Sequence, residues 1–334
     1  MKTPERPGRE DHRAREARRS SRGSAADGTA KNSTASSTAN STADSTASST
    51  ADSRRIAVIT LVAGRHRHLR LQQAGLAAGA RRPDHYVVVT MGDHKVPDAV
   101  AESRPAMDTV PVALDAAGRL PLAAARNAGA RHAVAAGAGL LVFLDVDCVP
   151  GPALLARYAE TAVDGALLCG TVAYLPPPPP EGYRLASLPR LAPPHPGRPV
   201  PGDAEVLRDG DHRLFWSLSF ALTSRTWQDI GGFCEEYSGY GGEDTDFAST
   251  AASRGVGLWW VGGAPAYHQH HPVSRPPVEH LDDILRNGAL YRSRWGSWPM
   301  EGWLRDFAGL GLVSYDGARD SWRKTAGSGS LAEG

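Results

Sequence analysis

Short apolar runs alternate with longer amphipathic segments from residue 56 onward, and this alternation constrains the fold more than any other feature. The runs IAVITLV (56–62), YVVVT (86–90) and LLVFL (140–144) show no regular polar–apolar alternation, as expected of strands covered on both faces. Between them, HLRLQQAGLAAGA and LPLAAARNAGARHAVAAGA are rich in Ala, Leu and Arg and predict helices. This order predicts an α/β fold: a Rossmann-like, mostly parallel central sheet with helices on both faces.

The composition favours a soluble globular protein. The 334 residues include 37 Lys and Arg against 36 Asp and Glu, and 41% of them are hydrophobic. This balance gives no electrostatic reason to expect a nucleic-acid partner. No apolar run approaches the roughly 18 residues of a membrane span, and the charged N-terminus is unlike a signal peptide. We therefore expect a cytoplasmic protein without a transmembrane segment, whose Cys148, Cys169 and Cys234 are reduced core thiols.

Changes in composition divide the chain into segments. Residues 1–53 are dominated by Ser, Thr and Ala, and we expect a disordered low-complexity tail. A single catalytic domain is predicted over 54–275. Within it, 11 prolines crowd residues 176–201, called the Pro-rich loop below. We interpret it as a surface loop near the site; a ligand for a proline-binding module is the alternative. Residues 276–334 are expected to form a helical extension, with a helix from about 278 to 292, and a flexible tail.

Two carboxylates follow the third strand directly. In Asp145-Val146-Asp147, residues i and i+2 point to the same side of an extended chain. Ligands of parallel α/β sheets bind beyond the carboxyl ends of the strands. Two oxygen donors there suit Mg²⁺ or Mn²⁺ held together with a substrate phosphate. The alternative is an acidic pair that merely ends a strand at a turn.

A cluster of histidines follows the strand GLWWVG (257–262). His268, His270 and His271 lie in AYHQHHP and offer imidazole nitrogens. Combined with two aspartates, imidazole favours Mn²⁺ somewhat over Mg²⁺. The alternative is that these histidines are ordinary polar residues with satisfied hydrogen bonds.

Three acids follow a pair of glycines in SGYGGEDTDF (238–247). Glu243, Asp244 and Asp246 stand where a helix could begin, and acids in a first turn are favoured by the helix dipole. The same acids could instead be required by chemistry. For Asp246 we favour the structural role.

Several motifs together resemble family 2 glycosyltransferases with a GT-A fold, over residues 55 to 275 approximately. The most specific piece is GGF (231–233) followed by GYGGEDTDF, which is similar to the C-terminal region of galactosyltransferase-type enzymes. GRHRHLR, AAARNAG and FLDVDCVP agree with the resemblance in order and spacing. The resemblance implies a nucleotide-binding half over about 54–150 and an acceptor and catalytic half over about 151–275.

The resemblance also implies roles for individual residues. Asp244 would be the general base of an inverting displacement, and Glu243 would help to bind the acceptor or the donor sugar. The metal would be held by Asp145, Asp147 and His268, with His271 as the alternative to His268. The nucleotide-sugar would be contacted by Val62, Gly64, Arg65, Asp93, Arg126, Asn127 and Asp145.

Aromatic residues and glycines near the acids suit a carbohydrate site. Tyr240 and then Trp216 are the best candidates for stacking on a sugar ring, whereas Trp259 and Trp260 lie in a strand and fit the core. Gly241 and Gly242 would let the backbone approach a sugar closely and could act as a hinge.

The sequence thus predicts a metal-dependent inverting glycosyltransferase of the hexosyltransferase type. The expected ligands are Mn²⁺ or Mg²⁺, a nucleotide-sugar donor, in first place a UDP-sugar, and a carbohydrate or another hydroxyl-bearing acceptor. One alternative is a nucleotidyltransferase with a related fold; the chain lacks a Gly-rich, Lys-bearing phosphate loop after its first strand. The other is a non-catalytic sugar-binding or scaffold protein.

Overall fold

A computed structural model describes residues 54–102, 107–116 and 118–325. The predicted disordered tail, residues 1–53, lies outside the described residues, and so do the last residues of the predicted flexible tail. Among the described residues, no helix combines the length and the apolar character that crossing a membrane requires.

The first half of the domain is a parallel sheet with helical crossovers. Strand β1 pairs with β2 on one side and β4 on the other, and β2 pairs with β3, all in parallel. The predicted strands and helices of this half are therefore confirmed, and β3 is an addition to them. The elements are β1 Ile56–Val62, α1 His66–Ala78, β2 His85–Met91, α2 Val96–Glu102, β3 Thr109–Leu114, α3 Leu122–Ala135 and β4 Leu140–Leu144.

The second half extends the same sheet with strands of both directions. Its elements are β5 Cys148–Pro150, α4 Leu154–Thr161, β6 Ala166–Tyr174, α5 Leu188–Leu191, β7 Val206–Gly210, β8 Ser219–Thr223, α6 Ser224–Ile230, α7 Glu243–Ser253 and β9 Gly257–His268. In the described chain the sheet has nine strands, ordered β3-β2-β1-β4-β8-β6-β9-β5 with β7 on β9. β6 and β9 run in the direction of β1, while β5, β7 and β8 run opposite to it. The predicted mostly parallel α/β sheet is confirmed.

The two faces of the sheet bury separate apolar clusters. On one face, a stack of aromatic rings joins β4, β8 and α7, with Phe143 on Phe220 at 4.6 Å and Phe233 on Phe247 at 4.2 Å between ring centroids. The other face packs α1 and α4 against β1 and β4. A rigid sheet core therefore underlies the strand ends where the polar residues collect.

The C-terminal segment adds two helices and a hairpin. A 3₁₀ turn Val278–His280 leads into α8 Leu281–Trp295, close to the helix predicted at 278–292. Helix α9 Glu301–Gly309 and the strands β10 Val313–Asp316 and β11 Ser321–Lys324 follow. The Pro-rich loop is mostly irregular, as predicted, apart from a turn at Leu185–Ser187 and the single turn α5.

Candidate active site

The turn that carries the two aspartates is fixed from below by a buried glutamine. Gln72 of α1 donates from Nε2 to the carbonyl oxygens of Asp145, at 2.7 Å, and Cys148, at 3.0 Å. Its own Oε1 accepts a hydrogen bond from the hydroxyl of Tyr86 at 2.6 Å. The backbone after β4 is therefore held in one conformation, and the direction of the two carboxylates is defined by the sheet.

Asp147 forms one group with two of the predicted histidines. The Nε2 atoms of His268 and His271 each lie 3.5 Å from an oxygen of Asp147. The register explains this arrangement, because Cys148 of β5 pairs with His268 at the end of β9. Potential ligand atoms of the three residues all lie within 4.8 Å of one another.

The donors of this group fit a divalent cation. Asp147 is buried, its Oδ1 has no hydrogen-bond partner, and its other oxygen is paired with the Arg65 guanidinium. Burial acts to raise the pKa of Asp147, but hydrogen bonding to His271 and the charges of His268 and Arg65 lower it to about 2. Burial lowers the pKa of His268, which favours the neutral imidazole that binds metals. A carboxylate kept ionised beside two imidazole side chains is a suitable ligand set for Mn²⁺.

Asp145 belongs to a different group, around Arg126 of α3. The guanidinium of Arg126 lies 3.3 Å from Oδ1 of Asp145, 3.2 Å from Oε1 of Glu243 and 2.8 Å from the hydroxyl of Ser217. The structure thus places Asp145 outside the Asp147/His268/His271 group, and its predicted metal contact stays a prediction. Its predicted neighbour in sugar binding, Arg126, does lie beside it.

Burial perturbs the acids of this second group. It raises the pKa of Asp145 to about 6, against the opposing charge of Arg126. It also raises the pKa of Glu243 to about 7, with the charge of Asp244 adding to the effect. Oε2 of Glu243 is buried without a hydrogen-bond partner. An unpartnered carboxylate oxygen beside a buried cation is suited to accept a hydrogen bond from a ligand hydroxyl.

Asp244 stands at the start of α7, behind the glycine pair. Gly241 and Gly242 have φ angles of 86° and 91°, which only glycine adopts without strain. Oδ1 of Asp244 accepts a hydrogen bond from the amide of Thr245 at 2.7 Å, and the side chain is half-buried. Burial raises the pKa of Asp244, which moves the carboxylate toward the range of an effective general base.

Asp246, the third acid, has a structural environment. Its Oδ1 accepts hydrogen bonds from Trp295 and Arg294, both at 2.7 Å, and from the hydroxyl of Tyr237 at 3.2 Å. The side chain is only 1% exposed. These contacts tie the start of α7 to the end of α8, which agrees with the structural role favoured for this residue.

The predicted nucleotide contacts divide into two groups. Asp93 accepts hydrogen bonds from the amide of Gly64 at 2.8 Å and from His66 at 2.7 Å, which places the loops after β1 and β2 side by side. Val62 is buried at the end of β1. Asn127 instead exchanges two hydrogen bonds with the backbone of Phe233, both at 2.9 Å. If the Asn127 side chain contacted the nucleotide-sugar, these hydrogen bonds would break. In this structure Asn127 instead holds the GGF segment (231–233) in position.

The two predicted stacking residues have partners that the sequence did not indicate. Tyr240 is 39% exposed and stacks on His280 at 4.3 Å, with Trp303 at 5.8 Å. The face of Trp216 is covered by the guanidinium of Arg198, 4.1 Å from the ring centroid. All three partners come from other segments of irregular or helical chain, so no local motif could have found them.

Comparisons with known proteins find matches over parts of the chain. Residues 210–278 match the family model described as "N-terminal domain of galactosyltransferase". Two proteins named validoxylamine A glucosyltransferase, from Streptomyces hygroscopicus subsp. jinggangensis (strain 5008) and subsp. limoneus, are 32% identical over 157 residues. The matches cover 40% of this chain and 36% and 33% of the two relatives. The chain thus spans about a third of the length of the curated relatives it matches.

Two solved structures have a partly similar chain trace. S. aureus TarS 1-349 in complex with UDP-GlcNAc has a TM-score of 0.49 and 14% identity, covering 70% of this chain and 66% of that chain. GalNAc-T7 with UDP, GalNAc and Mn²⁺ has a TM-score of 0.45 and 13% identity, covering 69% and 48% of the two chains.

The family match and the curated relatives confirm the resemblance inferred from the motifs. Over these stretches the chain is related to glycosyltransferases. More particularly, the galactosyltransferase-like segment is the stretch 210–278, which contains both the GGED sequence and the histidine cluster.

Proposed function

We propose that this protein is a metal-dependent, inverting glycosyltransferase that moves a sugar from a UDP-sugar to an acceptor hydroxyl. The observation that carries the proposal is the meeting of two polar centres after β4. One is the group of Asp147, His268 and His271; the other is Arg126 with Asp145 and Glu243, beside Asp244. The first suits a metal–diphosphate, and the second suits a sugar and a base.

The first centre would hold the leaving group. A divalent cation on Asp147, His268 and His271 would offset the negative charge that develops on the departing diphosphate. The guanidinium of Arg65, which pairs with Asp147, brings a second positive charge to the same place. The loops of Gly64 and Asp93 lie on the β1 and β2 side, where the nucleoside would bind.

The second centre would hold the reacting sugar and the base. Arg126 orients the carboxylates of Asp145 and Glu243, which can accept hydrogen bonds from sugar hydroxyls. As the acceptor oxygen forms its bond to the anomeric carbon, its proton passes to the carboxylate of Asp244. The bond from that carbon to the diphosphate oxygen breaks on the opposite face, and its electron pair leaves with the diphosphate. One such displacement inverts the anomeric configuration.

The relatives suggest the first donor to test. The curated relatives are named glucosyltransferases, and the proposal for this chain is therefore tested first with UDP-glucose, followed by other UDP-hexoses. Release of UDP, as opposed to pyrophosphate, separates a glycosyltransferase from a nucleotidyltransferase.

The experiment is calorimetric titration of UDP-glucose and other UDP-hexoses into the full-length protein, with and without Mn²⁺. We expect Mn²⁺-dependent binding of at least one donor and its loss in Asp147→Ala, because this variant removes the ionised ligand of the cation group. Asp229→Ala changes an exposed aspartate on α6 and is the control. Donor binding that is equal with and without Mn²⁺, or that survives in Asp147→Ala, contradicts the metal dependence.

A further inference from the structure

We propose that the Pro-rich loop builds the acceptor side of this site, where Trp216, His195 and Tyr174 form a row of rings that binds a polyhydroxylated ring of the acceptor. The inference rests on the proposed function and deepens it. It gives a role to a segment that composition alone left as a surface loop, and it adds His195 and Tyr174 to the predicted contacts.

The row is continuous from the cation group to Trp216. The Tyr174 ring lies 4.6 Å from that of His268, and the His195 ring lies 5.5 Å from Tyr174 and 5.0 Å from Trp216. Tyr174 is 41% exposed, although it ends a strand, and the other two rings of the row are half-buried. Partly exposed rings beside a polar centre are a surface on which the C–H faces of a sugar can pack.

The loop is anchored so that the row keeps its geometry. The amide of His195 donates to the carbonyl of Val172 in β6 at 2.7 Å. Arg198 donates from Nε to the carbonyl of Leu214 at 3.0 Å and from Nη2 to that of Trp216 at 3.3 Å, while its guanidinium covers the Trp216 ring. Arg198, itself a residue of the Pro-rich loop, is therefore a positioning residue for Trp216.

Arg198 makes these contacts at an electrostatic cost. It is 6% exposed, forms no ion pair within the described chain, and its Nη1 is buried without a hydrogen-bond partner. Ring faces stabilise a guanidinium less than a carboxylate does, and burial lowers the pKa of Arg198. A surface tryptophan that merely packed the loop would not require a buried cation behind it.

His195 has one defined tautomer with a free donor. Its Nδ1 accepts a hydrogen bond from the amide of Gly197 at 3.0 Å, so the proton of the neutral ring is on Nε2. Burial and the charges of Arg198 and Arg275 lower the pKa of His195, which keeps the ring neutral. No group of the described residues accepts a hydrogen bond from Nε2. The row thus presents an N–H donor between two aromatic rings, the combination that a hydroxylated ring requires.

The order of the sheet assigns the row to the acceptor. The proposed nucleotide contacts lie after β1 and β2, whereas Tyr174 ends β6, and β4 and β8 stand between β1 and β6. The donor would extend from the β1 side to the cation group after β4. From His268 of the cation group the row leads through Tyr174 and His195 to Trp216, which adjoins the Ser217 and Arg126 contact. Arg198, which covers Trp216, interacts electrostatically with Asp244, so a ring bound there would meet the donor sugar from the side of Asp244.

The test uses p-nitrophenyl α- and β-glycosides of glucose, galactose and N-acetylglucosamine as probes. Saturation-transfer NMR and calorimetry measure their binding to the full-length protein, alone and with Mn²⁺ and UDP. We expect at least one glycoside to bind the wild type, and His195→Ala to weaken it about 10-fold through loss of a ring contact and a hydrogen bond. His195→Phe keeps the ring without the N–H group and should lie between the two.

Two controls separate this inference from other causes. Arg190→Ala changes an exposed residue of the same loop and should leave glycoside binding unchanged. The thermal midpoint and the affinity for Mn²⁺ with UDP should be the same in His195→Ala as in the wild type. If the wild type binds no UDP-sugar, the proposed function itself is refuted. The inference is overturned if no glycoside binds the wild type, or if His195→Ala and Trp216→Ala bind it as tightly as the wild type.

Discussion

A single buried guanidinium, that of Arg126, pairs with the acids of the second centre. Arg126 is 3% exposed and contacts Asp145 and Glu243, while Asp244 contributes to its electrostatic environment. Burial opposes the charge of Arg126, but the three acids hold its pKa above the ordinary value. Removing one partner from such a buried set leaves the others uncompensated. The charge of each acid therefore depends on the others, and substitutions have to be chosen to change one charge at a time.

Asp244→Asn is expected to abolish transfer while it preserves donor binding. The amide cannot take the acceptor proton, and general-base catalysis contributes about 10²–10⁴-fold to such rates. The measurements are the turnover number with the donor found by calorimetry and the dissociation constant of that donor with Mn²⁺.

Asp229→Asn is the matched control for this change, because Asp229 is exposed on α6 and pairs only with Arg225 among the described residues. Its turnover should equal that of the wild type. Substantial transfer by Asp244→Asn would assign the base to another residue.

The raised pKa of Glu243 predicts how stability changes with pH. The pKa of this carboxyl rises from 4.5 to about 7 on folding. Its protonated form therefore adds to the free energy of unfolding below pH 4.5, and this contribution is lost as the pH rises through about 7. Glu243→Gln removes this contribution. The free energy of unfolding of the variant, relative to the wild type, should therefore increase from pH 5 to pH 8 in urea titrations without metal.

The same comparison with Asp229→Asn should show no such trend, because that carboxylate is exposed. A constant difference between Glu243→Gln and the wild type across this range would mean that Glu243 does not titrate there.

Among the elements, helix α8 determines the shape of residues 238–242, called the glycine loop below. Asn287 is fully buried and donates from Nδ2 to the carbonyl of Gly241 at 2.7 Å, with those of Ser238 and Tyr240 at 3.2 and 3.3 Å. Asp283 of the same helix accepts from the amide of Tyr240 at 3.1 Å. The loop that leads to Asp244 is thus held by side chains of a helix that follows it in sequence.

Asn287→Ala should weaken both the fold and the site. It removes the Nδ2 donor of the Gly241 and Tyr240 carbonyls, whereas the Ser238 carbonyl keeps a hydrogen bond from Arg286. We expect a loss of about 1 kcal/mol in the free energy of unfolding. It also frees the loop before Asp244, so turnover should fall while the affinity for Mn²⁺ remains. Urea titration and kinetics measure the two effects.

Ser293→Ala on the exposed side of α8 is the control and should be neutral. Wild-type stability and turnover in Asn287→Ala would show that Asn287 of α8 does not hold the glycine loop.

The sequence predicted the buried parallel strands because their composition is local information. It did not predict β3, where Pro111 lowers the strand signal; the structure tolerates proline there because β3 is an edge strand. The insertion of β8 in the opposite direction between β4 and β6 also escaped prediction. Strand direction depends on connections through the whole domain, and no short motif encodes it.

The spacing of Asp145 and Asp147 predicted that both face one edge, but not that they separate into two groups. Their partners decide this: His271 and Arg65 approach Asp147, while Arg126 approaches Asp145. Likewise, the hydrogen bonds of Asn287 and the approach of Arg198 to Trp216 follow from tertiary packing. Motifs identify residues that carry chemistry, whereas the residues that position them come from elsewhere in the chain.

At the scale of the molecule, the C-terminal segment supports the glycine loop through α8. Leu304 and Phe307 of α9 are fully buried and pack with Leu281 and Ile284 of α8. Trp303 of the same helix lies against Tyr240. The contacts that hold the glycine loop therefore depend on a segment beyond the galactosyltransferase-like stretch, which ends at residue 278.

Truncation after Trp295 should consequently lower both stability and turnover. It exposes the apolar face of α8, and loss of even one such buried side chain costs about 2–5 kcal/mol. The thermal midpoint and the rate of transfer are the measurements. Truncation after Thr325 removes none of these contacts and serves as the control. If the shorter protein unfolds at the wild-type temperature and transfers at the wild-type rate, the C-terminal segment has no supporting role.

Strand β9 pairs with three strands, β5, β6 and β7, and its last residue is His268. On the ribosome, roughly 80 residues separate the end of β6 from the start of β9, and their synthesis takes about 4–16 s. Through that interval the nascent chain exposes strand edges that only β9 can cover. The pairing of β9 also brings His268 to the cation group. A newly synthesised molecule therefore completes its central sheet and its proposed metal site in the same step.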